Sequence, residues 1–287
     1  MDLTSDKPTH SDRFSTVVTG PGLNRITPED PWRWLSAGWR DLRANARLSL
    51  TYGVLFSGIS LALFFALLEL EMAALVLVLG GGFMLVGPMV AVGLYEASRR
   101  LEEGQGITAK EMLFVKRAFT MQMAYMGLTL MFMFLAWVRL ATLIYALFFG
   151  MKTFPPIDQF VPELLFSVEG ATMLVVGTIV GAGIALAVYA VSVISVPLLF
   201  RRDVDFMTAV ITSIRAVKEN FWPMMLWAWL IALFTAFGIA TLFLGMILVF
   251  PLVGHASWHA YRALVPRADV APKADITPKA ESEAPTS

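Results

Sequence analysis

The sequence predicts an all-α membrane protein with six transmembrane helices, paired as three hairpins, each hairpin preceded by a basic amphipathic segment. Three observations lead there: an apolar composition, apolar runs long enough to cross a bilayer, and a charge pattern that gathers the basic segments on one side. Of the 287 residues, 57% are hydrophobic and 15% charged, against roughly half and a quarter in soluble domains. The mean hydropathy of +0.68 says the same. Because 22 Lys+Arg are offset by 22 Asp+Glu, no basic excess is available to release phosphate counterions, and nucleic acid is not expected as a partner. The lack of cysteine removes disulfides, thiolate nucleophiles and thiolate metal sites together.

The chain divides into three parts. Residues 1–31 are polar and interrupted by Pro and Gly, and residues 266–287 are rich in Pro, Ala, Lys and Glu. Neither can bury enough apolar surface to offset ordering entropy, so both are expected as disordered cytoplasmic tails around a membrane domain at 32–265. No apolar run in the first 47 residues is long enough for the core of a signal peptide. The apolar stretches cover residues 48–70, 72–94, 119–150, 171–200 and 221–253, and a spanning helix needs about 20 residues. Glu69 and Glu71 separate the first two as a tight interfacial turn. The last stretch is too long for one ordinary span; a turn near 237–240 would split it, with the second half continuing helically through His255, His259 and Arg262.

Charge decides the count, because short cytoplasmic loops are enriched in Lys and Arg. The basic groups fall in four places: Arg33, Arg40, Arg43 and Arg47; Arg99, Arg100, Lys110, Lys116 and Arg117; Arg201, Arg202, Arg215 and Lys218; and Arg262, Arg267, Lys273 and Lys279. Six spans put them all on one face, with both termini cytoplasmic at a bacterial inner membrane. The opposite face then receives the Glu69/Glu71 turn, a nearly uncharged turn around Gly238 and a loop at 151–170, in which Lys152 is the only base.

The same organisation repeats along the chain. Proline recurs late in the return helix of each hairpin, at Pro88, Pro197 and Pro251, and each is followed within about a dozen residues by arginine: Arg99 and Arg100, Arg201 and Arg202, and Arg262. Upstream of the first and third hairpins, the stretch from Trp39 to Asn45 matches that from Ile214 to Asn220 in its basic, apolar and Asn positions. The middle unit is the weakest copy.

From Trp32 to Leu48, the residues Trp32, Leu35, Trp39, Leu42 and Ala46 recur at helical spacing while arginines occupy the other face, the pattern of an interfacial helix. The segment from Asp205 to Asn220 repeats it. Such segments anchor topology, and they also suit recognition of a partner or of lipid. Proline in the return helices frees backbone carbonyls, and Ser192 and Ser195 stand at suitable distance to bond near Pro197. Three kinks could surround a cavity, as broken helices do in transporters. Glu96 and Arg100 have the i,i+4 spacing of an ion pair, with Arg99 beside them. Arg139 falls about twenty residues along its span, where it can snorkel to the outer interface. His255 and His259 share a helical face at i,i+4, but no third metal ligand is evident beside them. Packing with Trp258 and Tyr261 and interfacial capping is the expected use. In 177–183, Gly177, Gly181 and Gly183 satisfy the small-residue rule for close helix approach. No catalytic constellation is recognisable, and no cofactor is expected.

Three motif clusters stand out beyond this physical reading. The first is Gly87-Pro88 with Gly93-Leu94-Tyr95-Glu96-Ala97-Ser98-Arg99-Arg100-Leu101-Glu102. The second is Ser195-Val196-Pro197-Leu198-Leu199 with Arg202-Asp203-Val204-Asp205 and Thr208-Ala209-Val210. The third is Gly254-His255-Ala256-Ser257-Trp258-His259-Ala260-Tyr261-Arg262. Together they resemble the bacterial predicted integral membrane proteins grouped as domain of unknown function 2189, over roughly residues 30–265. The resemblance implies an inner-membrane protein of unassigned activity. A cytochrome c oxidase subunit label is sometimes attached to the family, but the facing histidines that a haem subunit needs are not evident here. The family brings no catalytic residues. The candidate motif residues are therefore Pro88, Tyr95, Glu96, Arg99, Arg100, Pro197, Arg202, Asp203, Asp205, Pro251, His255, Trp258, His259 and Arg262. The expected role is a non-enzymatic scaffold or accessory factor of a membrane complex, or else a small transporter or channel built on the kinked helices.

Overall fold

The computed structural model describes residues 21–70, 72, 74–115, 120–150 and 157–266. Most of both expected tails, together with Lys116, Arg117 and Lys152, lies outside these residues. The described chain is all helical. In order, the helices are α1 (Asp30–Ala44), α2 (Ala46–Glu69), α3 (Ala74–Val90), α4 (Val92–Glu102), α5 (Ala109–Leu113), α6 (Met121–Phe149), α7 (Ile157–Phe166), α8 (Val168–Ser192), α9 (Ser195–Arg201), α10 (Phe206–Glu219), α11 (Phe221–Ala240) and α12 (Met246–Leu264). Four stretches are long and apolar enough to cross a membrane: Ala46–Glu69, Met121–Phe149, Val168–Arg201 and Phe221–Ala240.

Burial is inverted along these helices. Val54, Ile59 and Leu63 on α2, Met131 and Phe132 on α6, and Ile179 on α8 are exposed. In water such a surface would be an aggregation liability, whereas in hydrocarbon it is the expected exterior. The main core lies instead at one end of the bundle, where α1, α4, α9, α10 and the second half of α12 meet; Leu94, Ile194, Leu198, Ala216, Trp258 and Leu264 are fully enclosed there. A small second cluster of Ile144, Tyr145, Leu164 and Met173 joins α6, α7 and α8 elsewhere.

The turns follow from local chemistry. α2 ends at Glu69, where the Leu70 N–H reaches the Ala66 carbonyl and the Met72 N–H reaches Leu67, so a helix break falls where the turn was expected; Glu71 lies outside the described residues. The turn between α11 and α12 comes later than the 237–240 expected. Gly238 is not a helix stop but a contact: a Cβ there would lie 2.3 Å from Met246 Sδ. The reversal occurs over 241–245, with Leu242 and Phe243 at positive φ, a conformation that non-glycine residues adopt only when packing enforces it. The 151–170 segment is not the plain loop expected, since α7 occupies Ile157–Phe166. Its prolines obscured apolar residues recurring at helical spacing.

The two matched segments end alike. Asn45 closes α1 at φ −118°, ψ 37°, and Asn220 closes α10 at φ −125°, ψ 44°, with a long helix starting at the next residue in each case. The middle unit has only the five-residue α5 in this place. The three prolines Pro88, Pro197 and Pro251 act differently. α3 gives way to α4 at Ala91, just past Pro88. α8 breaks at Val193–Ile194, ahead of Pro197, where Ser213 Oγ accepts the Ile194 N–H at 3.1 Å. α12 runs unbroken through Pro251, whose ring denies the Ile247 carbonyl its i+4 donor. Gly53 of α2 packs against that carbonyl; a Cβ on Gly53 would lie 2.1 Å from it.

Part of the segment expected in the N-terminal tail is held to the domain. Asn24 donates from its backbone N–H to Leu264 O at 2.9 Å and from Nδ2 to Ala263 O at 2.8 Å, and the Ile26 N–H donates to Asn220 Oδ1 at 2.9 Å. The start of the domain and the end of α12 therefore lie at the same end of the bundle.

Candidate functional site

The polar side chains of the motifs converge at that end, around the second half of α12. Gly254 lets α12 approach α4, since a Cβ there would meet Leu94 Cδ1 at 2.4 Å. His255, one residue on, is fully buried, with Nε2 2.9 Å from Ser49 Oγ of α2 and Nδ1 2.8 Å from Ser98 Oγ of α4. A neutral imidazole offers one donor and one acceptor, and two hydroxyls can complement both. One turn further, His259 Nε2 lies 2.8 Å from Asp41 Oδ2 of α1. Burial raises the Asp41 pKa, but hydrogen bonds from His259 and Ser98 outweigh it and hold the carboxyl below its ordinary range.

Glu102 of α4 ties down the next turn. Trp258 Nε1 donates to its Oε1 at 3.0 Å and Arg262 Nε donates to its Oε2 at 3.1 Å, so both carboxylate oxygens are used by α12. Trp258 also packs on Tyr261 and, edge to face, on Phe200 of α9. Tyr95 is buried and bonds Ser257.

A second cluster lies on the other flank of α4. Glu96 accepts from Arg99 Nε and Nη2 at 2.7 Å each and from Arg100 Nε at 2.6 Å. Arg99 continues to Glu103 at 2.6 Å and Arg100 to Glu111 at 3.0 Å. The Glu96 pKa is pushed up by burial and down by the two guanidiniums, with the net direction downward. Such a carboxylate stabilises the fold above its unfolded pKa of about 4.3, and the contribution is lost as pH falls through the lower folded value. The apparent melting temperature in mild detergent should therefore hold near neutrality and drop at acid pH. Glu96→Gln removes the charge that Arg99 and Arg100 share and leaves them to Glu103 and Glu111, costs about 2 kcal/mol at pH 7 and flattens the acid limb; melting curves of both proteins at several pH values check this.

The remaining candidates are dispersed. Arg202 Nη2 donates to the Pro266 carbonyl. Asp205 caps α10, accepting the Thr208 N–H at 2.9 Å, and Asp203 is exposed outside the network. Pro197 and Pro251 are buried packing positions, while Pro88 lines a cavity of about 300 Å³. Ser192 and Ser195 bond the Val188 and Val191 carbonyls. In the glycine motif only Gly181 is an inter-helix contact, against Trp137 of α6. Asp41, Ser49, Ser98 and Glu102 were not among the candidates, although Ser98 and Glu102 stand in the first motif cluster. Among the described residues, no group of three or more His, Asp or Glu is gathered to hold a metal ion.

The apolar exterior and the long apolar helices define the class, a helical integral membrane protein. Residues 75–201 match the model of domain of unknown function 2189, described as a predicted integral membrane protein. The matched stretch runs from α3 to α9 and holds the first motif cluster and the start of the second, a narrower range than the 30–265 of the resemblance. No curated protein and no solved structure matches the chain.

Proposed function

We propose that the chain is a non-enzymatic scaffold or accessory factor of a membrane complex, crossing a bacterial inner membrane six times as three hairpins with both ends of its membrane domain in the cytoplasm. Connectivity supports the count. Ser49, at the start of α2, and Ser98, just past α3, both meet His255, so the chain leaves and returns to one end between them. Tyr189 near the end of α8 likewise bonds Met224 near the start of α11 at 2.8 Å, and α12 returns from α11 to the same end.

The scaffold reading rests on one observation: the motif side chains are bonded mainly to one another, while the interfacial helices keep apolar groups outward. Trp32 on α1 and Met207 on α10 are 55% and 59% exposed. Motif residues that hold α1 and α12 in register would then serve to present these faces. Purification in mild detergent followed by mass spectrometry tests the reading. A reproducibly enriched membrane-complex subunit is expected; a chain that repeatedly elutes alone would count against it.

The cavity beside Pro88 favours a second reading, a small transporter or channel. Among the described residues its lining carries no charged side chain, and neither Pro197 nor Pro251 contributes to it. Little there could replace the hydration of a polar solute, which ranks this reading second.

A further inference from the structure

The cavity of about 300 Å³ lies between α8, α11 and α12 and against the α3–α4 junction, with α8 and α11 both within stretches apolar and long enough to span. Its volume falls at the lower end of the roughly 300–1,000 Å³ of small-molecule sites. The two helices are tied at one end, where the Tyr189 hydroxyl donates to the Met224 carbonyl. Beyond that tie each presents one face to the gap, Ala182, Ala185 and Leu186 from α8 and Ala228, Ile231 and Ala232 from α11. The i, i+3, i+4 spacing makes each set a single stripe. Alanines in both stripes leave the slot between the helices unfilled.

The slot runs from an exposed mouth to a buried floor. Leu186 and Trp229 at the mouth are 43% and 59% exposed, whereas Val188, Ser192 and Val249 within are 5% exposed or less. The mouth opens sideways at the depth of the spans, so what lies outside it is hydrocarbon. The polar groups of the floor are already used: Ser192 donates to Val188 O at 2.7 Å, Tyr189 to Met224 O, and Tyr95 bonds Ser257. Thr235, the other hydroxyl of the lining, and the indole of Trp229 at the mouth are neutral, and no charged side chain among the described lining residues asks for a charged end. A void of this kind forfeits the dispersion contacts of its walls, and an apolar chain drawn from the bilayer restores them.

We propose that this slot is a binding site for one acyl chain of a bilayer phospholipid, entering sideways between α8 and α11 with its methyl end toward Tyr95 and Ser257. The assignment stands on the lining of the slot and holds whichever functional reading is right.

Reconstitution into phosphatidylethanolamine vesicles doped with a phosphatidylethanolamine carrying a diazirine near one chain terminus tests it, with peptide mapping after illumination. Label is expected on the slot-facing residues of α8 and α11 above the level on the outward Val175 and Ile179. The filled variant Ala185→Leu/Ala232→Leu is expected to lose the slot label and keep the outward label. If that variant does not fold, the wild-type map decides alone. Equal labelling of slot and outward residues overturns the proposal. So does labelling by a diazirine free fatty acid but not by the phospholipid, or crosslinking of the slot to a second copy of the chain.

Discussion

Gly53→Leu is expected to destroy the folded protein in detergent, whereas Gly58→Leu, five residues along the same helix, should leave it intact. The difference is a matter of what each Cβ meets. At Gly53 it would lie 2.1 Å from the Ile247 carbonyl oxygen and 2.9 Å from the carbonyl carbon. These are backbone atoms of a helix that cannot yield as a side chain would. At Gly58 nothing lies within 4 Å. Overpacking of a close helix seam costs about 3 kcal/mol or more, and here it also pushes α2 away from the helix that organises the polar cluster. Size-exclusion profiles and melting curves of the two variants decide the matter; equal behaviour would mean that the α2–α12 seam is not as close as described.

His255→Ala should be nearly as damaging. The imidazole is fully buried and bonds Ser49 and Ser98 on two different helices. Truncation leaves a cavity and two hydroxyls without their partner, together costing about 3–5 kcal/mol. His259→Ala, at a position whose side chain is 20% exposed, should cost clearly less. The triple variant Ser49→Ala/Ser98→Ala/His255→Leu is expected to regain part of the loss, because neither serine hydroxyl is then left without its histidine, while the bond from Ser98 to Asp41 is lost with it. A triple variant no better than His255→Ala would show that the histidine does something other than bridge α2 and α4.

The four long apolar helices were legible in the sequence because length and apolarity are local properties. So were the helix break after Glu69, the Glu96–Arg100 pair and the likeness of the segments that end at Asn45 and Asn220, each of which depends on neighbours within a few residues. The polar cluster was not. Ser49 looks like filler in an apolar run, and its partner lies 206 positions away. The i,i+4 spacing of His255 and His259 correctly places them on one side of α12, yet spacing cannot say that one meets serines of α2 and α4 while the other meets Asp41 of α1. The α11–α12 turn came later than expected for a related reason. Gly238 looks like a breaker when read alone, but it is a glycine because Met246 comes back against it.

The central claim is that the motif-bearing ends of all the hairpins share the cytoplasmic face, and it is tested most directly by reporter fusions that are active only in the periplasm. A fusion after Phe160 should be active, and fusions after Gln105, Asp203 and Arg267 should be silent. Arg267 is the decisive position. It follows directly on the stretch in which Leu264 pairs with Asn24, so silence there, with activity at Phe160, is the result the six-span arrangement predicts. Activity at Arg267 would put the end of α12 outside, separate it from the cytoplasmic α1 and contradict the Asp41–His259 and Asn24–Leu264 contacts on which the account stands.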